Sequence, residues 1–322
     1  MRSAAEILDA FGRVRRAQRA GIYAPHKPLL ILWALGRVQR GEPRLTAFTE
    51  ADRPLKQLLG EFGSEQAAST RHYPFWHLST DAQGELWEVT GAPQLIDRPA
   101  GATPTLGELR QHHVKAGFAA DVDDALRHVP GLLPAVAARV LDAYFPSTLH
   151  GDIAASVGLD LSTVPAVADP ATEAAALHAE RTRRRDPRFR ERVLLAYEYR
   201  CCVCGFDLRI GNVPAGLEAA HIQWHQYGGP DIEPNGLSLC ALHHKLFDLG
   251  AFTIEPAEFR VAFSEHAISG GRGMTGELQH HGRQILIPQR PELLPGREFL
   301  HWNVHQGPFR RRARPLTMPS VE

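Results

Sequence analysis

A chain of 322 residues has room for two ordinary domains, since domains cluster at roughly 100–150 residues. Its 36 basic and 36 acidic residues balance, so no overall charge announces a polyanionic partner, and 43% hydrophobic content is that of a soluble globular protein. The apolar runs PLLILWALG and GLLPAVAARVL are too short to span a bilayer, and no charged-then-apolar leader opens the chain, so a cytoplasmic location is expected.

SAAEILDAFGRVRRAQRAG begins with a serine N-cap, has its acidic residues early and its basic residues late, and closes at Gly21. Those are the start and stop signals of a helix. APHKPLLILWALGRVQRGEP repeats the pattern, with Pro28 in the first turn and Gly41-Glu42-Pro43 as the stop, and FTEADRPLKQLLGEFG gives a third helix. The period then changes. YPFWHLSTDAQGELWEV holds two short aromatic and β-branched runs around Asp81-Ala82-Gln83-Gly84, which predicts a β-hairpin. Helices are expected again at 105–116 and 131–145. Helices followed by a hairpin share the arrangement of a winged helix-turn-helix, which is an analogy of order alone.

From 151 to 185 the composition shifts to Ala, Val, Pro and small polar residues, as expected of an interdomain linker. The chain then turns basic in RTRRRDPRFRER, and strand-like runs follow at GLEAAHI, AFTIEP, FRVAF and QILIP. The expected division is a helix-rich domain with a β-hairpin over residues 1–152, a linker over 153–185, and a mixed domain over 186–322. The fold class expected is α+β.

All four cysteines lie between Cys201 and Cys240, a clustering that favours a metal site over a disulfide framework. RCCVCG pairs Cys201 with Cys204, and LCALHH pairs Cys240 with His243. Two such knuckles suit a closed tetrahedral zinc site. Cys202 is the odd thiol, because the two-residue spacer makes Cys201 and Cys204 the better pair. Spacing leaves a choice between His243 and His244, since positions three and four residues after Cys240 both meet it on a helix.

The order EAAHI…PNGLSLCALHHKLFD resembles the HNH, or ββα-metal, nuclease motif through His221, Asn235 and His244. AAHI, GGPD, NGL and HKLFDLG around them are similar to that family too. The resemblance implies His221 as general base, Asn235 as the residue holding the loop, and His244 as ligand of a catalytic divalent ion, Mg2+ or Mn2+. It also implies that His243 belongs to the structural zinc with Cys201, Cys204 and Cys240, so that adjacent histidines serve different metals. The chemistry suits these side chains: hydrolysing a phosphodiester needs an activated water and a cation on the phosphate, and a neutral imidazole is a good base near neutral pH. Many members carry Asp just before the first His as a second metal ligand; here that position is Ala220. Asp248, one helical turn after His244, is a candidate second ligand and equally a plain helix-end residue. His225 is a weaker candidate.

The basic run ahead of this motif, with Arg183, Arg184 and Arg185 at its centre, and RRRAR near the end of the chain are expected to contact the DNA backbone. YAPHKPLLILWALGR and RHYPFWHLSTDAQGELWEV resemble the DNA sulfur-binding domain of phosphorothioate-dependent type IV restriction endonucleases, over roughly residues 5–150. Sulfur in place of a phosphate oxygen is larger, more polarizable and less strongly hydrated, so its reader needs an apolar wall beside cations. The resemblance assigns the wall to Tyr73 and Pro74, with His26, Lys27 and Arg71 as donors and His72 and His77 beside backbone or base. Phe75 and Trp76 are expected in the core.

The resemblances together imply a modification-dependent endonuclease acting on double-stranded, phosphorothioated DNA. A one-site nuclease domain cutting both strands favours a homodimer or two binding events. Two other readings stay open: an HNH nuclease reading another mark, such as methylated cytosine, and a non-catalytic DNA-binding regulator with a degenerate HNH fold.

Overall fold

Helix by helix, the computed structural model separates into two units, Met1–Glu180 and Arg181–Glu322. It describes residues 2–14, 18–19, 22–23, 25–63, 65–91, 95, 102–161, 186, 188–268 and 275–308. The basic positions Arg183, Arg184 and Arg185, most of the expected linker, and the RRRAR run lie outside the described residues.

In the first unit, α1 (Ala4–Gly12) starts at a capping box in which Ser3 and Glu6 satisfy each other's amides. The helix expected to run to Gly21 stops at Gly12, after Ile7, Leu8 and Phe11 have been buried. The Arg-rich stretch beyond offers no apolar face to hold more turns. Instead β1 (Gln18–Arg19) and β2 (Ile22–Tyr23) pair as a short antiparallel hairpin. Helix α2 (His26–Gln39) is buried from Pro28 to Gly36 and again at Val38, as its all-round apolar sequence requires. It is followed by β3 (Thr46–Ala47) and α3 (Phe48–Phe62).

The hairpin expected around Asp81–Gly84 is not there. α4 (Glu65–Ser69) leads instead into α5 (His72–His77) and a 3-10 turn over Leu78–Gly84. Pro74 sits in the first turn of α5, where its missing N–H costs nothing, and Phe75 and Leu78 are buried with helical spacing. Aromatic content suggested strands, but burial selected the helical period. β4 (Trp87–Thr90) finds its partner far along the chain, in β5 (Lys115–Phe118), and the sheet order is β3-β5-β4 with both pairings antiparallel. The helix expected over 105–116 is therefore split into α6 (Leu106–Gln111) and β5.

Helices α7 (Ala120–His128), α8 (Leu132–Tyr144) and α9 (Ser147–Val157) complete the unit. Ile153, Ala154 and Val157 of α9 are buried, so packing of this unit continues past residue 152. The core is threaded by edge-to-face rings: Phe11 on Phe118 at 5.7 Å, Phe118 on Trp87 at 5.5 Å, Trp87 on Phe75 at 6.3 Å and Phe75 on Phe48 at 5.1 Å. The Trp87 indole N–H also donates to the Phe75 carbonyl at 3.0 Å, which ties α5 to the sheet.

In the second unit, α10 (Phe189–Ala196) precedes a small hairpin of β6 (Arg209–Ile210) and β7 (Val213–Pro214). β8 (Leu217–His221) and β9 (Gly236–Cys240) pair antiparallel, with Glu218 opposite Leu239, Ala220 opposite Leu237 and His221 opposite Gly236. α11 (Ala241–Asp248) follows β9 directly, which makes the ββα arrangement. β10 (Phe252–Ile254) and β11 (Val261–Phe263) form another antiparallel pair, and α12 (Thr275–Leu278) and α13 (Arg297–His305) follow. QILIP, expected as a strand, makes one bridge between Gln284 and Arg260 and leaves Leu286 and Ile287 exposed. Phe189, Val193, Leu217, Leu237, Phe247 and Phe252 belong to the core of this unit. Among the described residues, no helix is long and apolar enough to cross a membrane.

Gly36 marks a close approach of two helices in the first unit. A Cβ there would stand 2.1 Å from the Val157 carbonyl oxygen of α9. Gly36→Ala raises intrinsic helix propensity by about 1 kcal/mol, yet is expected to lower stability by a net ~1–3 kcal/mol because backbone must move. Urea unfolding measures it, and an unchanged or higher midpoint contradicts the close approach.

Candidate functional site

β9 ends at Cys240 and α11 begins with the next residue, which brings the second knuckle beside the loop after α10. The ligand atoms of Cys201, Cys204, Cys240 and His243 lie within 4.8 Å of one another, close enough to share one metal ion. The His243 Nδ1 stands 3.1 Å from the Cys240 sulfur and 3.6 Å from that of Cys201. Hydrogen bonding from Cys204 and Cys240 pulls the Cys201 thiol down to about 3 despite its burial, and the same contacts push the Cys204 thiol up. Cys202 lies outside the cluster, buried in the core, and burial pushes its thiol up. The Nε2 of His243 faces the Glu277 carboxylate at 2.8 Å. A metal-bound imidazole commonly turns its second nitrogen to a carboxylate in this way. Glu277 carried no signal in the sequence, because α12 reaches His243 only through the tertiary fold.

His244 takes no part in that cluster. Its Nδ1 lies 2.6 Å from a Glu218 carboxylate oxygen on β8, and its Nε2 lies 3.3 Å from Asp248. Burial opposes a charge on His244, but Asp248 and then Glu218 outweigh it and raise the group to about 9. The hydrogen bond from His244 in turn lowers the Glu218 carboxyl. Asp248 is only 2% exposed, and its other oxygen accepts from the Trp224 indole N–H at 2.9 Å. Asp248 is thus enclosed behind His244, between its Nε2 and the Trp224 indole.

His221 closes β8. Its Nε2 lies 2.7 Å from Asp231, and its ring stacks on Phe189 with centroids 4.2 Å apart. The other Asp231 oxygen accepts from the Asp186 amide at 2.7 Å. An imidazole whose orientation is fixed by a carboxylate, and whose acquired charge that carboxylate supports, is the arrangement of an activated general base. Asp231 falls in the quoted GGPD, but no spacing rule singled it out. His225 lies alongside, its ring centroid 6.1 Å from that of His221.

Asn235, between His221 and His244 in sequence, is fully buried. Its side-chain oxygen accepts from the Gln223 amide at 2.9 Å, and its nitrogen donates to the Gln223 and Pro230 carbonyls, each at 3.0 Å. Those three bonds clamp the loop from 223 to 230 against the strand. The loop also needs Gly229, where a Cβ would stand 1.8 Å from the Gln223 oxygen. Arg192, part of the basic run, is spent internally: it binds Asp186, Glu233 and the Asp231 carbonyl, and so fixes the segment that carries Asp231.

In the first unit, His26 opens α2 and places its Nε2 3.0 Å from the Thr70 hydroxyl, next to α5. This brings His26 and Lys27 to the segment carrying residues 71–77. Tyr73 is 47% exposed, and Pro74 and Phe75 are buried behind it. The Tyr73 ring meets His72 edge-on at 4.6 Å and His77 at 6.2 Å. Burial, and after it the Arg71 charge, lowers the His72 pKa, so the ring is neutral at neutral pH. The His77 Nε2 lies 2.6 Å from the Thr103 hydroxyl. Arg71 is 8% exposed, donating to Asp52 at 2.6 Å and to the Ala68 carbonyl at 2.8 Å. Its guanidinium buttresses the turn that presents Tyr73.

Residues 4–162 match the ScoMcrA-like DNA sulfur-binding domain family, and residues 201–255 match the HNH endonuclease family. The chain is 30% identical to a solved "sulfur binding domain of ScoMcrA complexed with phosphorothioated DNA", covering 97% of that chain and 49% of its own length, with a TM-score of 0.42. The chain carries a ScoMcrA-like DNA sulfur-binding domain and an HNH endonuclease domain. It is also 30% identical to the type IV phosphorothioation-dependent restriction endonuclease ScoMcrA, covering 47% of itself but only 27% of that chain, with a TM-score of 0.38. The modification-dependent TagI restriction endonuclease is 26% identical over 38% of this chain and 39% of TagI, with a TM-score of 0.28. No curated protein matches the chain. The sulfur-binding family accounts for the first unit and the HNH family for the ββα segment, so the chain is a DNA endonuclease.

The buried amide of Asn235 gives the HNH domain its testable weak point. Asn235→Ala leaves two carbonyls and an amide without their partner, and each buried group left so costs about 1–3 kcal/mol. Calorimetry is expected to show a lower unfolding temperature for this domain alone. An unchanged transition contradicts the clamp.

Proposed function

We propose that this chain is a modification-dependent restriction endonuclease that reads phosphorothioated double-stranded DNA with its N-terminal domain and cuts it with the HNH domain. What supports the reading most is the joining of a sulfur-binding domain to a nuclease segment whose His221, Asn235 and His244 each have partners suited to their parts. The sulfur pocket is proposed at Tyr73 and Pro74, with His26, Lys27, His72 and His77 around it and Arg71 beneath. Arg183, Arg184 and Arg185 are proposed as backbone contacts, the nuclease domain is kept at 186–322 while α9 carries the reading domain past the expected limit of 152, and a homodimer or two binding events in the cytoplasm would bring a site to each strand.

The cysteine cluster with His243 offers three soft sulfurs and one nitrogen, a donor set that fits zinc. His244 beside two carboxylates offers one nitrogen and hard oxygens, a set that fits Mg2+ or Mn2+. When bound, such an ion withdraws charge from the phosphate oxygens and steadies the leaving oxygen. The chain's own residues do the rest. His221 takes a proton from the attacking water, Asp231 supports the charge it then carries, and the Phe189 stack holds the ring plane. Asn235 fixes the loop that keeps His221 and Asp231 together, and Asp248 holds the far side of His244.

Incubating the protein with phosphorothioated, cytosine-methylated and unmodified plasmids of one sequence, with and without Mg2+ or Mn2+, tests the reading. Metal-dependent cutting of the phosphorothioated plasmid alone is expected. His221→Ala is expected to lose cutting by at least about 10²-fold, the contribution of a general base, while still binding the modified duplex. Cutting of the methylated plasmid alone, or equal cutting of all three, contradicts the reading. Cys204→Ser is expected to release zinc and unfold the HNH domain, which circular dichroism and metal analysis follow; a folded, zinc-free variant contradicts the structural part given to the cluster.

A further inference from the structure

His244 is touched by two carboxylates, and the two differ in what else they do. Asp248 is sealed from solvent, shares one oxygen with Trp224, and meets Nε2. Glu218 meets Nδ1 at 2.6 Å, and its side chain is 45% exposed. A histidine ligand binds a metal through one nitrogen while the other is held by a carboxylate or carbonyl. Asp248 occupies the holding position, which leaves Nδ1 beside the partly exposed Glu218 carboxylate.

The strand supplies a second argument. Alternate residues of a β-strand share a face, so Glu218 and Ala220 stand on the same face of β8, opposite Leu239 and Leu237 of β9. Ala220, just before the general base, is fully buried and has no donor atom. Glu218 is one step back along the same face, and its side chain is long enough to reach His244 on α11. Nothing else on the described β8 carries a carboxylate.

We propose that Glu218 is the second protein ligand of the catalytic divalent ion, paired with His244 Nδ1, and that Asp248 is the positioning residue that presents that nitrogen. The inference rests on the nuclease reading above. Without the ion, the 2.6 Å contact is a proton shared between imidazole and carboxylate; binding exchanges that proton for the metal.

Mn2+ titration of the zinc-loaded full chain, followed by the electron paramagnetic resonance signal of free Mn2+, tests it without any cleavage. Zinc content is measured in parallel. The wild-type protein is expected to bind one Mn2+, and His244→Ala to abolish that binding. Glu218→Gln is expected to weaken it at least about 10-fold, with zinc retained. If the wild type binds no Mn2+, or His244→Ala binds as well as wild type, the nuclease-ion reading and the inference fall together. If His244→Ala loses Mn2+ but Glu218→Gln binds as tightly as wild type, the inference alone falls. Should Glu218→Gln lose its zinc, Glu218→Asp is read in its place: weaker Mn2+ binding with zinc retained supports the inference, and wild-type affinity overturns it.

Discussion

Successive residues of an α-helix are turned about 100° from one another, and α11 converts that turn into a division of labour. Cys240 and His243 face the loop that carries Cys201 and Cys204, whereas His244 faces β8 and the helix's own Asp248. Had the helix begun one residue earlier or later, one imidazole would be asked to serve both neighbourhoods. The direct join of β9 to α11, with no loop between, removes that slack. Everything at the nuclease site depends on this register: it places His244 against Glu218 and leaves His221, at the end of the neighbouring strand, to Asp231.

Around that register, fully bonded polar groups fix the loops beside an apolar core. Asn235 spends its whole amide on backbone, and Arg192 spends its guanidinium on two carboxylates and a carbonyl. In the first unit Arg71 does the same with Asp52 and the Ala68 carbonyl. A buried polar group with all its bonds made costs little, but one partner removed leaves the other stranded. These residues therefore fix loop shape, and through it the position of Tyr73 in one unit and His221 in the other.

Much of this was legible in the sequence, and the remainder was not for identifiable reasons. Metal ligands and the His–Asn–His order declare themselves because chemistry fixes both residue type and spacing; the spacing left His243 and His244 undecided, and three-dimensional packing separates them. The α2 helix was legible from its first-turn Pro28 and its Gly41 stop, and α3 from the spacing of its apolar residues. The hairpin expected after His72 was not, because aromatic residues fit a helix as well as a strand when one face is buried, as Phe75 and Leu78 are. Glu218, Asp231 and Glu277 escaped notice because each acts on a histidine distant in sequence. The internal partners of Arg71 and Arg192 were not legible, since a sequence shows a cation but not the carboxylate folded against it.

The central claim is that neighbouring histidines hold different ions. Zinc K-edge X-ray absorption on the zinc-loaded protein reads it most directly. The account predicts three sulfur ligands at about 2.3 Å and one nitrogen at about 2.0–2.1 Å, a pattern that His244→Ala leaves intact and His243→Ala alters. A zinc environment changed by His244→Ala and untouched by His243→Ala would contradict it.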